Sequence, residues 1–202
     1  MVGGQYSEDV LLLRWFKDQP LGFVVEIGAA NGQDDSNSHC LIQKGWSGIL
    51  IEPEPEQFAD LQKFYRNRPD VVCVQEAADL ESREVDFYCG EQVSTLCPVW
   101  RDRYVQMYGI DYKTIRVLTR HLGDILKNVK APKRIDFLSV DCEGRDVRVL
   151  RSMDWDYFDV GLVCTEARCD PFMASVGFHF VQQTHPLRGN KFYGKGMAKI
   201  PD

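Results

Sequence analysis

The sequence has no apolar run long enough to span a bilayer, and its first residues lack the charged-then-apolar pattern of a cleaved leader. Neither a membrane span nor secretion is expected. Paired-cysteine motifs are missing too: Cys40, Cys73, Cys89, Cys97, Cys142, Cys164 and Cys169 form no C-x-x-C and no zinc-ligand spacing. Seven thiols without a framework predict a reducing compartment, so a cytoplasmic protein is expected. Repeats, low-complexity tracts and Pro/Ser-rich linkers are absent. The 202 residues are therefore expected to form one domain, 1–202, with a core that needs no staples. A positive balance is also lacking: the net charge of −6 excludes a chain that coats nucleic acid indiscriminately.

What is present is a globular composition, 44% hydrophobic and 27% charged, which excludes a disordered chain. The charge is uneven. From Arg101 to Arg134 nine Lys/Arg stand against three Asp, and 185–199 carries Arg188, Lys191, Lys195 and Lys199 with no acid. Such stretches are usually solvated faces; a site for an anionic substrate is the second reading.

Periodicity predicts a helix over 6–18 with Val10, Leu13 and Phe16 inward and Ser7 as cap, then a strand at 23–27. A helix from about Ser36 ends at Gly45, and a strand at 48–52 stops at Pro53. A helix at 56–67 precedes a strand at 71–78, and 84–90 alternates as an added strand. Residues 91–114 show no clear period; a long irregular segment is often functional, and this one is the expected acceptor-binding segment. Strand 115–118, helix 119–129, strand 135–144, a further helix and strand 160–166 follow. Segments 177–183 and 191–200 read as a late antiparallel pair. Strand and helix alternating from 23 to 166 imply a mostly parallel sheet covered by helices on both faces.

In such sheets ligands bind beyond the carboxyl ends of the strands. Four strands end in or lead into an acid: Glu26, Glu52, Asp141 with Glu143, and Glu166. The first turn reads Glu26-x-Gly28-x-x-x-Gly32, not the G-x-G-x-x-G that cradles a pyrophosphate. An acid beside the turn repels phosphate and suits a cationic ligand. S-adenosylmethionine carries an ammonium and a sulfonium and no phosphate, and Glu52 is placed to accept from both ribose hydroxyls. The bland readings are a strand-end acid at Glu26, a helix cap at Glu143 and an ion pair of Glu166 with Arg168. Acids beside runs this apolar nevertheless need partners.

The stretches "EIGAANG", "SNS", "GWSGILIEPEP" and "IDFLSVDCEG" with "VRVL" behind it, in that order, resemble the FkbM family of S-adenosylmethionine-dependent methyltransferases. The likeness runs from "GQYSEDVLLLRWF" through Glu166. It implies the Rossmann-like class I methyltransferase fold with a seven-stranded sheet and an antiparallel C-terminal hairpin. It also implies a donor site formed by Glu26, Gly28, Ala30, Asn31, Gly32, Ser36, Glu52, Pro53, Glu76, Ala77 and Asp141, with adenine near Glu76 and Ala77. Asp141 and Glu143 of the D-x-E-G motif are the implied catalytic pair, and O-methylation of sugar or polyketide hydroxyls is the implied reaction.

A hydroxyl needs a base before it attacks a methyl group, and Asp141 is the first candidate, with Glu143 orienting it. Alternatively, magnesium or manganese on Asp141 and Glu166 lowers the hydroxyl pKa. His39, His121, His179 and His185 have no motif behind them. Trp46 and Trp155 read as core. Trp100, Tyr104 and Tyr108 read as stacking groups for a sugar or base, with Ser94, Thr95, Arg101 and Arg103 as hydrogen-bonding groups for the acceptor. A sugar or glycan acceptor is expected. RNA methylation is the alternative, motivated by the basic 101–134 stretch, and a degenerate binding module is the third reading.

Overall fold

Side-chain alternation along the buried strands builds two cores, one on each face of a sheet. The computed structural model describes residues 7–186 and 189–196. Its first half runs α1 (Glu8–Trp15), β1 (Phe23–Ile27), α2 (His39–Gln43), β2 (Ser47–Ile51), α3 (Pro55–Tyr65), β3 (Val71–Val74), β4 (Ala77–Ala78) and β5 (Glu84–Cys89). A 3-10 turn (Glu91–Val93) leads to α4 (Pro98–Tyr108), β6 (Lys113–Arg120), α5 (Leu122–Asn128) and β7 (Arg134–Val140). Then come α6 (Asp146–Arg151), β8 (Asp159–Thr165), α7 (Asp170–Ser175), β9 (His179–Gln183) and β10 (Lys191–Gly194).

The main sheet has seven strands in the order β3-β2-β1-β7-β8-β10-β9. The first five are parallel, and β10 runs antiparallel between β8 and β9, as the late hairpin requires. Val25, Ile27, Ile49, Ile51, Val140 and Val163 point to one core with α5, α6 and α7. Val24, Leu50, Phe137, Leu162 and Phe192 point to the other with α1, α2 and α3. This period of two, apolar on both faces, is what a strand covered by helices on both sides needs.

Several expected elements differ. The helix read over 6–18 spans Glu8–Trp15; its inward face is Leu11, Leu12 and Phe16, with Val10 exposed. Ser7 makes no side-chain cap bond. The continuous run at 71–78 breaks at Val74, because Ala77 and Ala78 leave the main sheet to pair with Thr119 and Arg120. β4, β6 and β5 form a separate three-stranded sheet. Segment 91–114 is not irregular: Pro98, at the first turn where its missing N–H costs nothing, opens an 11-residue helix. No residue of α4 is buried, so no apolar period marks it. The short α7 was not legible either. Tyr6 of the first helix, and 197–200 of the expected last strand, lie outside the described residues, as do Arg188 and Lys199. Among the described residues no helix is long and apolar enough to cross a membrane.

Candidate active site

Alternation puts Glu26 on the same side of β1 as Val24, facing the loop before α2 rather than the strand ends. Its carboxylate accepts from the Ser36 hydroxyl (2.8 Å), the Asn37 N–H (2.8 Å) and the Ser38 hydroxyl (2.6 Å). Asn37 Nδ2 in turn donates to Ser139 Oγ on β7. Burial pushes the Glu26 pKa up, and the hydrogen bonds pull it back. The "SNS" stretch therefore closes over a buried acid instead of starting a helix at Ser36, and Glu26 and Ser36 brace each other behind the turn that follows β1. Asn31 and Gly32 turn away as well. The Asn31 side chain bonds Gln33, Asp34 and its own loop, while Gly32, at φ +77°, packs against Leu61 and Tyr65.

The remaining sequence-derived donor residues converge. Gly28, Ala30, Glu52, Pro53, Glu76, Ala77, Asp141 and Glu143 line one cleft at the carboxyl ends of β1, β2 and β7. Ala30, at φ +44°, directs its N–H to Glu52 Oε2 (2.9 Å), and the Glu54 N–H reaches Oε1 (2.8 Å). Burial raises the Glu52 pKa to about 7 against those two bonds. A carboxylate offers about four acceptor positions, so two remain, one on each oxygen. Ile27, Ala77, Ala78 and Phe87 supply apolar wall, and Arg120 occupies the Glu76 carboxylate at the rim (3.2 Å to each oxygen).

Beside this cavity stand the acids of the last two parallel strands. Asp141 follows β7, and burial together with Glu166 and Glu143 holds its pKa well above the carboxylate range. Glu143, at φ +46°, accepts from the Tyr104 hydroxyl (2.8 Å) and does not cap α6; burial and Glu166 push it to about 7. Glu166 is raised by burial and by Asp146, and Arg168 pairs with Asp170 instead. Oxygens of Asp141, Glu143 and Glu166 lie within 4.8 Å of one another. Asp146 fixes the loops: it accepts from the N–H groups of Cys142, Glu166 and Ala167 and from the Thr165 hydroxyl. Gly144, at φ +88°, is required twice over, since a Cβ there would lie 1.8 Å from the Trp100 ring.

The model of the methyltransferase FkbM domain matches residues 26–188. The chain belongs to this family. No curated protein matches it. Among solved structures it is similar to the methyltransferase domain of METTL16, with a TM-score of 0.52 at 11% identity over 96% of this chain and 65% of that one. It is also similar to the precorrin-6y C5,15-methyltransferase from Geobacter metallireducens GS-15, with a TM-score of 0.50 at 10% identity over 95% and 89%. The fold of this FkbM chain is thus the Rossmann-like methyltransferase fold.

A strap that the sequence left unread covers the cavity of the FkbM domain. Ser94 donates to Glu54 Oε2 (2.6 Å), Thr95 to the Glu143 carbonyl (2.8 Å), and Arg145 to the Leu96 carbonyl (3.0 Å). Ser94 and Thr95 are thereby used in tethering, not presented to an acceptor. The free volume under the strap is about 50 Å³, against roughly 300 Å³ at the lower end for ligand sites. Phe87, Leu96 and Cys142 also line the cavity; Cys142 lies inside the D-x-E-G stretch, and no motif singled out Phe87 or Leu96. Trp100, Tyr104 and Tyr108 form a ladder along α4, with ring centroids 5.6 and 5.8 Å apart.

Proposed function

We propose that this FkbM chain transfers the methyl group of S-adenosylmethionine to a hydroxyl of a sugar or glycan. The observation that carries the reading is Asp141, a carboxylate of raised pKa at the end of β7, lining the same cavity as Glu52. The donor set fits this cofactor: acids surround the cavity, no phosphate-cradling glycine cluster is present, and both Glu52 oxygens keep an acceptor position toward ribose. Ile27, Ala77 and Ala78 suit an adenine face.

S-adenosylmethionine supplies a sulfonium-activated methyl group. With the donor's ribose held by Glu52, Asp141 would take the acceptor's hydroxyl proton as that oxygen bonds the methyl carbon, and the broken C–S pair would stay on sulfur. Tyr104 orients Glu143 beside it, and the strap and the close-packed D-x-E-G loop exclude water. The acceptor reaches this point along α4, whose aromatic ladder starts at the Gly144 contact and runs outward to the exposed Tyr108. Stacking rings suit sugar faces. A neutral polyol is favoured over RNA because the acid cluster repels phosphates. Five of the nine basic residues of the 101–134 stretch are also paired with acids, namely Arg101, Arg116, Arg120, Lys127 and Arg134.

The test is incorporation of label from methyl-labelled donor into panels of sugar, polyketide and RNA acceptors. Methylation of a sugar hydroxyl is expected; methylation of RNA alone contradicts the reading.

A further inference from the structure

We infer that Asp141, Glu143 and Glu166 together hold one divalent cation of the magnesium or manganese type. The ion's catalytic role rests on the methyltransferase reading, but its binding does not. Oxygens from the three side chains lie within 4.8 Å of one another. Two ligands on opposite sides of a hard cation, at about 2.1–2.4 Å each, stand about 4.2–4.8 Å apart. Three oxygens within 4.8 Å of one another share a point no farther than about 2.8 Å from each, so small side-chain rotations, and no backbone movement, bring all three to one ion.

A second observation points to a ligand. Among the described residues, Asp141 Oδ1 is the one buried carboxylate oxygen without a hydrogen-bond partner. The fold satisfies its other buried acids with care: Glu26, Glu52 and Asp146 all accept bonds from backbone or hydroxyl donors. A sealed oxygen left bare is costly unless a cation meets it. The nearby ammonium does not, because Lys191 Nζ donates to the Glu166 carbonyl (2.5 Å). Tyr104 occupies only Oε2 of Glu143, leaving Oε1. The donor is no substitute either, since ammonium, sulfonium and carboxylate sum to a single positive charge against three acids.

The set is also preorganised. Asp146 ties the loop after β7, through the Cys142 N–H (3.0 Å), to the loop after β8, through the Glu166 N–H (3.1 Å). Shared outer partners of this kind hold ligands in place. An all-oxygen, acidic set selects magnesium or manganese over zinc. With the acceptor hydroxyl as a further ligand, the ion lowers that hydroxyl's pKa, and the second Asp141 oxygen takes its proton.

The experiment is titration of the whole chain, without donor, with Mn²⁺, reading free ion by electron paramagnetic resonance. One saturable site per chain is expected, displaced by Mg²⁺, and weakened about tenfold or more in Glu166→Gln and in Asp141→Asn. Glu81→Gln, an exposed acid outside the cluster, serves as the control and leaves it unchanged. Absence of a saturable site in wild type, or equal affinity in a folded Glu166→Gln, overturns the inference. Calorimetry of S-adenosylhomocysteine on the same samples keeps the two readings apart: donor binding without metal binding refutes only the cation.

Discussion

Gly28, the residue after β1, lies so close to Asp141 that a Cβ on it would be 1.8 Å from the Asp141 carbonyl oxygen. The two strand ends share one space: the glycine turn gives up its side chain so that β7 can deliver its acid to the cavity. Gly28 also sits at φ +78°, which an L side chain adopts at a cost of about 1–2 kcal/mol. Gly28→Ala should therefore destabilise the fold by more than about 2 kcal/mol in chemical denaturation. A change within about 0.5 kcal/mol, the range of ordinary surface substitutions, would show that the strand ends are not packed this way.

The strap depends on Ser94, whose hydroxyl bonds Glu54 while accepting from the Gly90 N–H (2.9 Å). Ser94→Ala removes both at about 1–3 kcal/mol. Stopped-flow binding of S-adenosylhomocysteine should show faster association, with protease cleavage near 91–97 increased. Unchanged rates mean that the cavity opens elsewhere.

Asp141→Asn keeps the side chain's shape but cannot take a proton. Donor affinity should persist while turnover falls by about 10²–10⁴. Near-normal turnover would move the base to Glu143.

Buried acids give the protein, free of both donor and divalent cation, an inverted pH response. Glu52 and Glu143 have folded pKa values near 7, above their ordinary 4.5. Their contribution is fully present below about 4.5, where both states are protonated, and is lost as pH rises to about 7. Melting temperature should fall across that window. Glu52→Gln should flatten the fall, and a wild-type profile rising from pH 5 to pH 7 would contradict it.

The mostly parallel sheet and the clustering of acids at one end were legible because buried strands are apolar without interruption and four of them end in or lead into a carboxylate that has to be satisfied. Glu26 was legible only in part. Its need for partners was visible, but the partners are Ser36, Asn37 and Ser38, and only side-chain alternation in three dimensions distinguishes a loop clamp from a ligand contact. α4 was hidden because a helix that buries no face carries no period. The strap was hidden because Ser94 and Thr95 look the same facing an acceptor or a carbonyl. Asp146 sits in plain view after the D-x-E-G motif, yet its four bonds reach from one strand's loop to another's.

The most direct test of the account is calorimetry of S-adenosylmethionine on wild type and Glu52→Ala. Wild type should bind one molecule per chain. The variant, folded by circular dichroism, should lose the bonds to the ribose hydroxyls, each worth about 1.5–3 kcal/mol. No binding by wild type, or equal affinity in a folded Glu52→Ala, would contradict the assignment of this cavity to the donor.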